Sequence, residues 1–365
     1  MITAAGRFHF LRGSVLWLGA LCCLDGAGEA TARSAPSRPG AAAAGIATAT
    51  PPPLPSRRFG AIGYVNLADG ASRLGLKLAW VSRGKKVKLT GPRVTAEIAT
   101  DTREINVNGM RVFLGDPVAD ASGKLYVSRI DFERCLTPLL RPGFGVTTVA
   151  RPKTIVLDPG HGGKDTGTSD NEKIYALDVA KRARKELEAA GYRVVLTRES
   201  DTFVELVERP AIANATRADV FVSIHFNALI KDRKTSGVEI FTFAPQHQRS
   251  ADSWSPGKKD DTFTHAEPNN RFDHWNMVLA QTIHRRFLAD LKTFDRGKKL
   301  AHWGVLRSLN CPGVLVECGF LTSDAEARKI ATPAYRQKLA QVIAAGIREY
   351  SATVEGLRWT ASARR

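Results

Sequence analysis

The chain predicts an α/β fold: a three-layer α/β/α domain on a mostly parallel sheet, preceded by a small α+β domain. Three observations lead there. The runs at 154–157, 219–224 and 314–316 are almost wholly aliphatic or aromatic, too apolar for strands with one wet face, so they read as strands buried on both sides. Helical apolar spacing falls between and after them, at 175–190 with Gly191 as its stop, 203–216, 275–291 and 335–350. Strands that alternate with helices need crossovers, and crossovers make neighbouring strands parallel. The stretch before residue 150 has a different texture, with short β-rich runs and tight turns.

Residues 1–32 have the form of a secretory signal. Arg7 and Arg12 precede an apolar run over 13–24, and Ala30-Thr31-Ala32 offers a small-residue cleavage site. The run is too short to span a bilayer, and Leu21 and Cys22 are not the small residues that lipid attachment at Cys22 or Cys23 would need. The chain is therefore expected to be exported, periplasmic or extracellular, with no transmembrane span once the signal is removed. Residues 33–58 hold Ala, Pro, Ser and Thr with Pro51-Pro52-Pro53, the composition of an unpacked linker.

Residues 59–150 are expected to form the small α+β domain. The string Tyr64-Val65-Asn66-Leu67-Ala68-Asp69 returns as Tyr126-Val127-Ser128-Arg129-Ile130-Asp131, each copy leading into a short helical pattern at 71–78 and 132–140. Strand-like runs at 85–89, 93–99, 105–107 and 111–114 lie between, with Asn108-Gly109 as a hairpin turn. This pattern resembles the copper-amine-oxidase-like stalk domain of bacterial surface proteins, although no copper-ligand cluster is present.

With 53 Lys and Arg against 36 Asp and Glu, the chain carries a formal charge of +17. That favours anionic partners: nucleic acid, anionic lipid or acidic wall polymers. Nucleic acid is not expected as a partner, because the signal sequence and the lack of stacking aromatics or a helix-turn-helix argue against it. Beyond Cys22 and Cys23 only Cys135, Cys311 and Cys318 remain, too few for a disulfide framework.

The catalytic domain is placed at 152–351 and a basic tail at 352–365. Within the domain, residues 246–270 interrupt the alternation with Pro, Gly, Ser, Asn and charges. That length marks a flexible lid, a regulatory insertion on which a protein activator would act, or disorder; His247 and His265 inside it read as solvated.

Chemistry concentrates where the apolar strands end. The first runs into Asp158-Pro159-Gly160-His161-Gly162-Gly163, the second ends on His225 and the third on Glu317. A glutamate at such a place wants a partner. Two histidines and carboxylates at one sheet edge make the ligand set of a catalytic zinc ion that keeps a position open for water. Asp158 can orient one of those ligands or simply make the turn before Pro159.

The strings Asp158-Pro159-Gly160-His161-Gly162-Gly163-Lys164-Asp165, Glu172-Lys173, Leu196-Thr197-Arg198, Glu208-Arg209, Ser223-Ile224-His225-Phe226-Asn227-Ala228 and Val316-Glu317-Cys318-Gly319-Phe320-Leu321 together resemble the zinc-dependent N-acetylmuramoyl-L-alanine amidases, in that family's order. The resemblance implies that His161, Glu172 and His225 hold Zn2+ and that Glu317 is the catalytic acid/base. It implies peptidoglycan as substrate, cut at the amide between the lactyl group of N-acetylmuramic acid and L-alanine. Departures are a short loop from His161 to Glu172, Phe226 where a small residue is common and Cys318 where threonine is common. Two other readings stay open: a zinc peptidase acting within the stem peptide, and a wall-binding or regulatory protein with an idle site.

Overall fold

A computed structural model of the chain describes residues 52–146, 149–229, 232–255 and 258–362. The expected signal sequence and residues 33–51 of the linker lie outside them. The linker ends earlier than expected, because residues from 56 onward are already paired in a strand.

The amino-terminal module is built from β1 (Ser56–Phe59), β2 (Ile62–Asn66), β3 (Lys77–Ser82), β4 (Lys86–Gly91), β5 (Val94–Ala99), β6 (Glu104–Val107), β7 (Met110–Phe113), β8 (Ala119–Ala121) and β9 (Lys124–Ser128). The two copies of the sequence repeat pair with each other, β2 running antiparallel to β9 with Tyr64 opposite Ser128 and Asn66 opposite Tyr126. Each copy also caps the helical turn after it. Asn66 Oδ1 accepts from the Ala68 amide to start helix Leu67–Arg73, and Ser128 Oγ accepts from the Asp131 amide at the next helical start.

The remaining strands are β10 (Thr154–Pro159), β11 (Arg193–Leu196), β12 (Val220–Asn227), β13 (Val238–Phe243), β14 (Asp295–Ala301) and β15 (Gly313–Phe320). They lie in the order β11-β10-β12-β15-β13-β14. All neighbours are parallel except β13 and β15, which run antiparallel. Side chains alternate across the sheet, and each face has its own helical layer. Ile155, Leu157, Val222, Ile224, Val314 and Val316 pack with the helices Asp170–Ala189, Asp273–Arg286 and Pro333–Ser362. Val156, Phe221, Phe241 and Leu315 face the other way, onto helices Glu208–Ala215 and Gly304–Arg307. The expected three layers are present.

No break in the fold accompanies the boundary expected near residue 150. β7 pairs parallel with β14 at Val112 and Lys298, so β7-β6-β5-β4-β3 extend the same sheet to eleven strands. Ala244, Met277 and Leu300 join the module's own buried cluster. The cause is β14, an element the sequence does not announce because Asp295-Arg296-Gly297-Lys298-Lys299 looks like a solvated turn.

Two further expectations need correction. Residues 352–362 are not a tail but the last turns of helix Pro333–Ser362; Val354 is fully buried and Glu355 pairs with Arg151. Of 246–270, Gln248, Ser250, Ser253 and Asn269 are buried and anchor the segment, with short 3-10 turns at Ala251–Trp254 and Pro268–Phe272, while 258–260 and 264–266 are exposed. Gln248 is buried and donates to Asp131 Oδ1 of the module, and Arg249 and Arg103 lie against Trp254. Polar composition misled because these polar groups satisfy one another inside the protein.

Lys298 is fully buried, its Nζ 3.3 Å from His284 Nδ1. Burial pushes its ammonium down to about 8 from an ordinary 10.5. The unfolded chain therefore binds a proton that the folded chain has released between those two values, and stability rises with pH across that window. Lys298→Met is expected to remove that rise, read as urea-unfolding free energies at pH 7.5, 9 and 10.5; an unchanged slope would show that the lysine keeps its proton.

Candidate active site

Local sequence forces the sharp turn at the end of β10. Pro159 ends the strand, and His161 sits in the left-handed region at φ 60°, a cost for a non-glycine residue that persists only where surroundings impose it. Buried cations impose it here. Arg209 donates through Nη1 to Asp158 Oδ1 and the Pro159 carbonyl, and through Nη2 to the His161 carbonyl. Arg198 donates to the carbonyls of Pro159 and Gly160. Asp158, fully buried, also accepts from Thr197 Oγ1 at 2.6 Å and Ser223 Oγ at 2.6 Å. It touches no candidate ligand, so the reading of Asp158 as an orienting partner is corrected: it is the buried counter-charge of Arg209.

The structure brings His161, Glu172 and His225 together. Glu172 lies in the first turn of helix Asp170–Ala189, which starts earlier than its apolar spacing suggests, and the short loop before it still delivers the carboxylate. His161 Nε2 is 3.1 Å from His225 Nδ1 and 3.1 Å from Glu172 Oε1, and His225 Nδ1 is 3.2 Å from the same oxygen. Three ligands on a tetrahedral ion at roughly 2.0–2.1 Å stand about 3.3 Å apart, so this triangle fits a small divalent metal. No other group of three or more His, Cys, Asp or Glu among the described residues is so arranged.

The surroundings fix the donors. His161 Nδ1 faces Asp165 Oδ1 at 2.9 Å, which places the ring proton there and leaves Nε2 with a lone pair toward the triangle. Asp165 is thus the orienting carboxylate. Glu172 Oε2 accepts from the amide and hydroxyl of Thr168 at 2.7 and 2.8 Å, leaving Oε1 for the triangle. Burial pulls the His161 imidazole down, but Glu172 and Asp165 outweigh it and hold it above its ordinary value. Burial likewise opposes charge on Glu172, yet His161 and His225 keep its carboxyl well below the usual carboxylate range. Backbone space is equally specific. A Cβ on Gly160 would stand 2.3 Å from His225 Cε1, and one on Gly167 would stand 2.4 Å from Glu172 Oε2.

Glu317 lies beside this group, in register with His225 across the parallel β12–β15 pair. Its Oε2 is buried without a hydrogen-bond partner among the described residues. Burial, with Glu172 and Glu239 near, holds its carboxyl well above the usual range, as expected of a group that exchanges protons. All four side chains line one open cavity of about 760 Å³ whose rim carries the exposed apolar residues Leu206 and Trp303. Phe226 also reaches that wall, whereas Cys318 is buried. His247 is exposed and His265 pairs with Glu267; neither joins the site.

Sequence reasoning missed Glu239, in register with Glu317 across β13 and β15, and its partners Arg296 and Lys299, all of which line the cavity. The signal was present in part: Glu239 interrupts the apolar run of β13, and a buried glutamate requires cationic partners.

A doubly covered α/β sheet with two histidines and a glutamate converging at its edge defines a candidate metal-assisted hydrolase. The family model of N-acetylmuramoyl-L-alanine amidases, Amidase_3, matches residues 155–349. The chain is 36% identical over 204 residues to the N-acetylmuramoyl-L-alanine amidase LytC of Bacillus subtilis, covering 54% of this chain and 35% of LytC. It is 33% identical over 221 residues to the amidase AmiA of Escherichia coli, covering 54% of this chain and 76% of AmiA. A solved N-acetylmuramoyl-L-alanine amidase from Clostridium difficile 630 shares 31% identity, with 55% of this chain and 97% of that one aligned at a TM-score of 0.44. This chain belongs to the Amidase_3 family of N-acetylmuramoyl-L-alanine amidases.

Two substitutions test the geometry. Asp165→Asn frees the His161 ring and is expected to weaken divalent-metal affinity roughly 10–100-fold, the usual effect of losing an orienting partner. Gly160→Ala is expected to weaken it at least as much by displacing His225. Competition titration with a chromogenic chelator reads both, and unchanged affinity in either would show that the triangle is not the metal site.

Proposed function

We propose that the chain is an exported, zinc-dependent N-acetylmuramoyl-L-alanine amidase that separates peptidoglycan stem peptides from glycan at the bond between the lactyl group and L-alanine. The observation that carries this reading is the 3.1–3.2 Å triangle of His161, Glu172 and His225 with Glu317 in register beside it.

In this reading His161 Nε2, His225 Nδ1 and Glu172 Oε1 hold zinc, which when bound supplies the charge that polarises an amide carbonyl and acidifies a water. Asp165 and Thr168 keep those donors aimed. Glu317 takes the water proton on its unpartnered Oε2 and returns it to the leaving nitrogen, a role suited to a carboxyl whose proton affinity burial has raised. The apolar rim shelters the reacting amide from bulk water. The signal-like pattern of residues 1–32 supports export to the cell wall. An activator protein would act on 246–270, whose Asp252 lines the cavity.

The test uses the mature chain, zinc content and digestion of purified peptidoglycan read by mass spectrometry. Free stem peptides beginning with L-alanine are expected, lost on chelation and restored by zinc. Glu317→Ala is expected to keep zinc and lose roughly 10²–10⁴-fold in rate. Fragments cut only within the stem peptide would replace this reading with the peptidase one.

A further inference from the structure

Beyond Glu317, on β13 and β14, the cavity holds a charge arrangement to which the proposed reaction assigns no step. Glu239 Oε1 accepts from both Arg296 Nε at 2.7 Å and Lys299 Nζ at 2.8 Å, while its Oε2 accepts from Asn227 Nδ2 at 3.1 Å. One carboxylate is thus shared by two cations, and both of its oxygens are taken. Arg296 and Lys299 keep donors to spare: the guanidinium Nη groups and two of the three ammonium protons have no acceptor among the described residues. Both side chains line the cavity, with 27% and 16% of their surface exposed. They are also held in place, Arg296 over the Phe320 ring and Lys299 between the rings of Phe113 and Phe241. Fixed cations with unspent donors facing a cavity are a ready site for an anion.

Position says which anion. Asn227 is two residues past His225 on β12, and its contact with Glu239 shows that side chains from β12 and β13 converge over β15 at this edge. β14 stands three strand spacings, about 14 Å, from β12. Two extended residues of a bound peptide span about 7 Å, and the long Arg296 and Lys299 side chains close the rest.

We propose that Arg296 and Lys299 form a carboxylate subsite for the peptide half of the substrate. It takes the free α-carboxylate left by a γ-linked glutamate one residue beyond the L-alanine. This rests on the amidase reading and deepens it: the enzyme reads the charge state of the stem peptide, and amidation of that carboxylate weakens binding. Lys299 and Arg296 are specificity residues that hold neither the metal nor the transferred proton, although the charges of Lys299 and Glu239 also bear on the Glu317 carboxyl.

The experiment pairs two uncleavable probes, an L-alanyl-γ-D-glutamyl-L-lysine tripeptide and its α-carboxamide counterpart, with the matching muramoyl substrates. Calorimetry on the zinc-loaded full chain is expected to show the carboxylate form bound roughly ten- to a hundredfold more tightly, as for a charge-assisted pair. Lys299→Gln should reduce that preference to within about twofold in combination with Arg296→Gln, mainly through KM. Lys299→Arg should retain it. Unchanged zinc content and an unchanged thermal unfolding transition in every variant report intact folding. Equal losses on both substrates, or no preference in the parent chain, would overturn the subsite while leaving the amidase reading. A retained binding preference with no cleavage of either muramoyl substrate would overturn the amidase reading and keep the subsite.

Discussion

The buried pair of Asp158 and Arg209 is what the catalytic edge depends on. Removing one partner of such a pair leaves an uncompensated charge and costs about 3–5 kcal/mol, but its more specific effect is geometric. Asp158 is the penultimate residue of β10, Thr197 comes just after β11 and Ser223 lies inside β12, so one carboxylate ties three neighbouring strands together. Arg209 spends its remaining donors on the carbonyls of Pro159, His161 and Val204. A turn that would otherwise expose unsatisfied carbonyls is thereby fixed with His161 in an unfavourable backbone conformation, and the strain is offset by charge-assisted hydrogen bonds.

From that turn the rest of the site is built by exclusion as much as by attraction. Gly160 gives the His225 ring its space and Gly167 gives the Glu172 carboxylate its space, while Asp165 accepts from His161 and Thr168 donates to Glu172, holding both candidate ligands against rotation. Pre-organisation of this kind concentrates the cost of assembly in folding, so the donors need no rearrangement to meet an ion.

Much of this was legible in the residues, and the reason is physical. β10, β12 and β15 are buried on both faces, so their apolar runs announce themselves, and a His or Glu at the end of such a run has no packing explanation. The two Tyr-Val repeats were likewise visible, each with its own cap at Asn66 or Ser128, but their pairing with each other was not. Elements whose charges are satisfied by distant partners stayed hidden. β14 reads as a turn until Glu239 is seen to take Arg296 and Lys299 and the sheet is seen to bury Lys298. The anchored 246–270 segment depends on Asp131, more than a hundred residues earlier, and the helical end of the chain depends on Arg151 and a buried Val354. Composition reports average solvation of a segment, whereas these segments are governed by single contacts.

That same strand links the amino-terminal module to the chemistry. β14 is held on one side by β13 and on the other by β7, with Gly297 at φ 93° allowing Phe113 to approach so closely that a Cβ would stand 2.7 Å from its ring. Successive residues then point oppositely: Lys298 goes toward His284, and Lys299 into the cavity beside Phe113. Arg111, two residues before Phe113 on β7, donates to Asp295 at the start of β14 through its amide and its guanidinium. A module joined by a loose linker would leave this wall free to shift. Joined through the sheet, it sets the register of the strand that carries Arg296 and Lys299, so the amino-terminal residues contribute to the shape and charge of the cavity without lining the edge where His161, Glu172 and His225 meet.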